Sequence, residues 1–255
     1  MFYVYKCGDR SRKLRNVNRF YRKKDKITYS VILPTYNEEK NIPRMIKEIS
    51  KNLRRVSYEI IIVDDNSNDK TPEIIDSYKS TRIVALHRYG TRGILSAIND
   101  GMKIAKGKFI IMMDADFSHP PKKIFEMLKY CSKYDLVNCS RFAKGGGMNA
   151  PFLQKYSTIL FNFIIRLIFL DIGLTDYTGG FHVIKKNKFQ DLKFEYRYYW
   201  GEFDLELLYS SYRKRFKIKE ISYVYKYREE GKSKSQSYIK YAYIYWKMAL
   251  KLRFR

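Results

Sequence analysis

The feature that most restricts the fold is a run of five apolar residues, Phe109 to Met113, that follows Gly107-Lys108 and ends abruptly in Asp114-Ala115-Asp116. A strand without polar alternation is buried on both faces, as central strands of parallel sheets are. Pro120-Pro121 closes the exit and keeps the acidic segment a short loop. Asp114 and Asp116 are two residues apart, a spacing that an extended backbone turns to one side. Ligands of open α/β sheets bind beyond the carboxyl ends of the strands, where this pair falls. Two such carboxylates repel unless a cation lies between them, and a hard divalent ion, Mg²⁺ or Mn²⁺, that also reaches ligand phosphates meets that need. The bland alternative is a solvated strand end.

The same grammar recurs along the chain. Tyr29 to Leu33 reads as a strand ended by Pro34 and followed by Thr35-Tyr36-Asn37-Glu38-Glu39, and a helical pattern begins after Asn41 with Ile42, Met45, Ile46, Ile49 and Leu53. Glu59 to Val63 is a second buried strand that runs into Asp64-Asp65. Helix-like 71–78 and strand-like 82–86 lead to Arg88-Tyr89-Gly90-Thr91-Arg92-Gly93, a glycine-arginine segment opening a helix, which reads as a phosphate-facing loop. After the organising strand, a helix (124–133) precedes a fifth strand, 136–139, ending in Ser140-Arg141-Phe142. Strands and helices alternating with polar strand ends predict an α/β fold with a mostly parallel sheet that binds a nucleotide at its C-terminal edge.

Charge limits the partners. Lys and Arg number 51 against 26 Asp and Glu, a formal net charge of +25, so an anionic partner is expected: nucleic acid, an acidic membrane surface or phosphorylated substrates. Residues 1–27 hold many of these cations and read as a basic arm outside the core, a solvated tail or a contact to lipid headgroups. Cys7, Cys131 and Cys139 show neither disulfide nor zinc spacing, and His87, His119 and His182 read as structural, His119 less simply because it adjoins the acidic pair. No signal peptide is expected, and the longest apolar run, 159–170, contains Asn162 and Arg166 and is short of the ~20 residues of a spanning helix.

In the second half, 154–170 reads as a helix on which Thr158, Asn162 and Arg166 form one narrow polar stripe while the rest from Ile159 on is Phe, Ile or Leu. So wide an apolar arc packs into a core or lies in a membrane interface. Residues 236–255 form a basic and aromatic helix suited to a headgroup boundary or a dimer interface.

Taken together, Val31 to Glu38, Val63 to Ser67, the glycine-arginine loop, Asp114-Ala115-Asp116, Ser140-Arg141-Phe142 and Arg228 with Gly231-Lys232-Ser233-Lys234 resemble the family 2 glycosyltransferases, in the branch of dolichyl-phosphate mannose synthase and other polyprenyl-phosphate sugar synthases. The resemblance covers about residues 29–234. It implies a GT-A fold over 28–235 with interfacial helices at 154–170 and 236–255. It further implies that Pro34, Tyr36, Glu38, Val63, Asp64, Asp65, Asp114, Ala115 and Asp116 hold the nucleotide sugar, with Asp114, Asp116 and Ser118 around the metal. Arg141, Arg228 and Lys234 then correspond to the cationic cluster at the phosphates, and with Asp116 they form the implied catalytic set.

The implied reaction is metal-dependent, inverting transfer of mannose from GDP-mannose to dolichyl or polyprenyl phosphate, at the cytoplasmic face of a membrane to which the protein binds peripherally. Alternatives are a UDP-glucose or other hexose donor, a soluble or polymeric acceptor, and, from another class, a nucleic-acid binder. The acidic strand ends at the centre of the chain argue against the last, since they repel a phosphate backbone. The chain departs from the family pattern at Gly93-Ile94-Leu95, at His182 where an arginine is usual, and at Trp200 where a glycine is common.

Overall fold

The computed structural model describes residues 14–18, 26–78, 80–90, 92–194, 202–228 and 238–255, the first and last of these stretches being described by backbone alone at 14–18 and 238–241. The first half contains β1 (Leu14–Asn18), β2 (Tyr29–Thr35), α1 (Ile42–Leu53), β3 (Tyr58–Asp64), α2 (Thr71–Ser77), β4 (Ile83–Arg88), α3 (Ile94–Ile104), β5 (Phe109–Met112) and α4 (Ile124–Leu128). The second half contains β6 (Leu136–Ser140), β7 (Gly147–Asn149), α5 (Phe152–Ile168), β8 (His182–Lys185), α6 (Lys186–Gln190), α7 (Glu202–Arg213), β9 (Ile218–Ser222), β10 (Val224–Lys226) and α8 (Tyr238–Arg253).

Eight strands form one sheet in the order β1-β4-β3-β2-β5-β8-β6-β9, and β7 pairs with β10 in a small ribbon. β4, β3, β2 and β5 run parallel, as the alternation of strand and helix requires. β8 is inserted antiparallel between β5 and β6, so the fifth strand of the sequence does not neighbour the organising strand. At the other edge, the backbone of β1 lies antiparallel to β4, from Leu14 opposite Arg88 to Asn18 opposite Ala85. Part of the segment expected outside the core is therefore an edge strand. Such a strand is added through backbone hydrogen bonds, which leave no apolar alternation to read.

Because side chains alternate along a strand, each central strand feeds two cores. Val31, Leu33, Ile60, Ile62, Ile111 and Met113 pack with α1 and α4 on one face. Ile32, Ile61, Val63, Ile110 and Met112 pack on the other with α3, α5, α7 and α8. Gly107 is required by contact: a Cβ there would lie 2.5 Å from the backbone nitrogen of Ser30. Tyr245, Met248, Ala249 and Leu252 of α8 belong to the second core, while Tyr243 and Trp246 face outward. Among the described residues no helix is long and apolar enough to cross a membrane.

Candidate functional site

The sheet delivers β2, β3, β5 and β6 to one edge with their carboxyl ends aligned. At β5 the chain leaves the sheet after Met112 and turns through Phe117, whose φ of 64° is left-handed. The N–H of Asp114 donates to Nδ1 of buried His119 (2.9 Å), and the N–H of Ser118 donates to Oδ1 of Asp116 (3.1 Å). His119 stacks on Phe181 at 5.1 Å and meets Tyr223 edge-on. Burial pushes its pKa down to about 4, so the ring is neutral and accepts at Nδ1. It is a strut for the acidic loop.

Asp114 is surrounded by protein yet keeps 45% of its side chain open. Burial, followed by the negative charges of Asp116, Asp204 and Glu38, pushes its carboxyl well above the ordinary range against the pull of Arg228. Asp116 is mostly buried and meets Nη2 of Arg228 at 3.3 Å. Among the described residues no three His, Cys, Asp or Glu side chains form a ready-made metal cage. Crowded oxygen donors with uncompensated charge fit a hard divalent cation that takes its remaining ligands from a diphosphate. Ser118 is buried behind Asp116, with its N–H already donated, and Ala115 is buried as well.

The β2 and β3 ends are joined. Asn37 and Asn66 both take left-handed backbone (φ 53° and 62°), and the N–H of Asp65 donates to the carbonyl of Thr35 at 2.8 Å. Tyr36 is half-buried under the guanidinium of Arg92, 3.8 Å from its ring centre. Glu38 is buried and accepts from Asn41, Pro34 is half-buried, and Val63 is fully buried and forms floor. Asp65 accepts from Arg88 and from the N–H of Gly93, both at 2.9 Å; burial nevertheless raises its pKa. Asp64 is turned inward to Ser67 and His87.

The glycine-arginine segment differs from the expected phosphate loop. Arg88 is buried between Asp65 and Asp100, the latter at 3.0 Å from Nε, and the Gly93 N–H is committed to Asp65. Carboxylates of the protein thus occupy the Arg88 guanidinium and the Gly93 N–H, while Arg92 stays exposed and donates to the carbonyl of Asn66.

Across the sheet, Arg141 at the end of β6 is gripped by Asp176, with Nε to Oδ2 and Nη2 to Oδ1 both at 2.7 Å, and by Thr178 Oγ at 2.7 Å. Burial alone would raise the Asp176 pKa, but the guanidinium and its hydrogen bonds hold it below the ordinary range. The site thus gathers Asp114, Asp116, Arg228 and Asp204, with Arg141 fixed behind them. Lys234 and Trp200 lie outside the described residues. His182, at a place where the family usually has an arginine, is buried with Nε2 at 2.9 Å from Oδ1 of Asp204.

Sequence reasoning missed Asp176, Asp204 and the strut role of His119. His119 carried a signal in its place beside the acidic pair, and Asp176 a weaker one, two residues before Thr178-Gly179-Gly180, with its partner 35 residues away.

The helix α5 buries Ile165 in the core but leaves most of its apolar side chains exposed. Asn162 of its polar stripe is buried, accepting from the N–H of Tyr177 (2.7 Å) and donating to Thr178 Oγ (3.2 Å). Phe152, Leu153, Tyr156, Leu160, Phe163 and Leu167 are exposed. Thr178 bonds both Asn162 and Arg141, so one hydroxyl separates this helix from the cationic side of the site.

A mostly parallel sheet between helical layers, with acidic loops at its carboxyl edge, is the GT-A architecture. The fold is shared with glucosyl-3-phosphoglycerate synthase from Mycobacterium tuberculosis, solved in complex with Mn²⁺, uridine diphosphate and phosphoglyceric acid, at a TM-score of 0.66 and 18% identity over 89% of this chain and 77% of that one. The sequence pattern of the family described as glycosyl transferase family 2 matches residues 30–193, and the chain belongs to that family. A dolichol-phosphate mannosyltransferase from Pyrococcus furiosus is 32% identical over 80% of this chain and 58% of its own length. An undecaprenyl-phosphate 4-deoxy-4-formamido-L-arabinose transferase from Pectobacterium atrosepticum is 33% identical over 54% of this chain and 42% of its own. The chain therefore spans about half the length of these two relatives.

Proposed function

We propose that the chain transfers mannose from GDP-mannose to the phosphate of a dolichyl or other polyprenyl phosphate, with inversion at the sugar C1, while resting on the cytoplasmic face of a membrane. The observation that carries this reading is α5. Most of its apolar side chains are turned out to solvent while Asn162 of its polar stripe is bonded inward, one hydroxyl from Arg141. An acceptor with an isoprenoid tail has to be drawn from a bilayer, and this is the surface that would lie on it. Similarity to the Pyrococcus furiosus mannosyltransferase supports the choice of sugar and acceptor.

The residues suit a reaction without a dedicated base. A phosphate monoester is largely ionised at neutral pH, its second pKa being about 6. Its oxygen attacks C1, the bond from C1 to the donor diphosphate breaks, and the electron pair leaves on the diphosphate oxygen, so no proton need move. Tyr36, Glu38 and Asp65 line the nucleotide side. Arg228, beside Asp116, and Lys234 meet phosphate charge, and Arg141, held rigidly by Asp176, adds positive potential behind them. A divalent cation held by Asp114 and Asp116 would neutralise the departing diphosphate.

A second reading, transfer from UDP-glucose or another UDP-hexose to the same acceptor, draws on the structural relative solved with uridine diphosphate. Labelled GDP-mannose and UDP-glucose, each incubated with the protein, Mn²⁺ and vesicles carrying polyprenyl phosphate, separate the two. Mannose label in the organic phase, abolished by EDTA and by Asp116→Ala, is the expected result. Glucose label alone would transfer the reading to the second donor, and label from neither would refute both.

A further inference from the structure

The residue His87 has a part in donor binding that its sequence did not show. It lies on β4 directly across from Asp64 of β3, and both of its ring nitrogens face carboxylates: Nδ1 is 3.2 Å from Asp64 Oδ2, and Nε2 is 3.1 Å from Asp76 Oδ1 on α2. A neutral imidazole has one donor and one acceptor, so it satisfies one of these oxygens and sets a lone pair against the other. Only the protonated ring donates to both.

What the pair holds is the nucleotide side of the site. The other oxygen of Asp64 accepts the N–H of Ser67 (3.2 Å), and Ser67 Oγ accepts the N–H of Asn37 (2.8 Å). Asn37 Oδ1 accepts the N–H of Asn68 at 2.8 Å, which closes the link between the two turns. Each turn contains a non-glycine residue in left-handed backbone, a conformation that persists only where neighbours hold it. Between them they present Tyr36, Glu38 and Asp65.

The geometry points to His87 as a positioning residue for the sugar nucleotide: as an imidazolium it clamps Asp64 to α2, and through Ser67 it holds the 36–38 and 64–68 turns in the shape that receives the donor. This rests on the donor reading above. Among the described residues, the charged groups placed against the ring are Asp64 from β3 and Asp76 from α2. Burial lowers the His87 pKa, and the two carboxylates more than reverse this, so that it stands above the ordinary value of 6.5. The clamp is then complete below 6.5 and is lost as pH rises through the raised value.

The test measures affinity for GDP and for UDP with Mn²⁺ by calorimetry from about pH 6 to about pH 9, and in parallel the His87 ring titration by NMR. Affinity should fall about fivefold as His87 deprotonates, and linkage requires the His87 midpoint to rise by roughly 0.7 when nucleotide is added. Asp76→Asn, at a side chain 48% exposed, removes one carboxylate and should move the ring titration and the affinity loss to lower pH together. His87→Gln, which has no titrating proton, should flatten the profile. Nucleotide binding that is flat across the His87 titration, or that stays in place when Asp76→Asn moves the titration, would overturn this inference alone. Binding of neither nucleotide at any pH would overturn the donor reading and the inference with it.

Discussion

Helices α1 and α5 are both amphipathic by sequence, α1 polar with an apolar stripe and α5 apolar with a polar one, and they place their apolar side chains differently in the molecule. In α1, Ile42, Met45, Ile46, Ile49 and Leu53 face the sheet while Arg44, Lys47 and Lys51 face water. In α5, Asn162 and Ile165 face the protein and a row of Phe, Leu and Tyr faces outward. Burial of apolar surface accounts for the first; in the second it accounts for Ile165, with Phe161 and Ile168 beside it, and not for the exposed row. The inward face of α5 joins the buried Ile165 to hydrogen bonds between Asn162 and the Tyr177-Thr178 segment, and its outward face stays exposed.

This difference orders the expected effects of substitution. The largest belongs to the ion pair on which the inner stripe of α5 rests. Asp176→Asn leaves Arg141 buried with a neutral partner and should cost roughly 3–5 kcal/mol in denaturant unfolding. The Asp176 pKa is held down, so the pair stabilises the fold above the ordinary value of 3.8 and is lost as pH falls through the lowered one. Wild type and variant should therefore differ at neutral pH and converge in acid. In α1, Ile49→Ala removes a fully buried side chain and should cost about 3 kcal/mol, the ordinary core penalty. Asn162→Leu would make α5 more apolar, yet it strands the Tyr177 N–H and should cost about 2 kcal/mol. If it were stabilising instead, the inward hydrogen-bonding role of Asn162 would be wrong. Smallest is Leu160→Ser on the outward face, with a stability change within about 0.5 kcal/mol.

Reading the chain alone reached the first of these helices and half of the second. Continuous apolar strands ended by acids were legible because burial on both faces and a ligand-binding edge each constrain sequence directly. Periodicity also showed the polar stripe of α5, but it reports that a stripe exists and not which way it faces. The direction depends on Tyr177 and Thr178, which are distant in sequence. The same limit hid the pairing of Arg141 with Asp176, and it made Arg88 look like a phosphate ligand when Asp65 and Asp100 enclose it. β8 escaped a topological reading because four residues between two glycines and a helix do not specify a neighbour.

The most direct test of the account is whether the outward face of α5 binds lipid. Wild type and the double variant Leu160→Ser/Phe163→Ser would be sedimented with vesicles containing anionic lipid and polyprenyl phosphate, with thermal midpoints measured beside them. The account expects matched midpoints, wild type in the pellet, and the variant left in the supernatant with little sugar transferred to lipid. Equal sedimentation of the two proteins, with equal transfer, would contradict it.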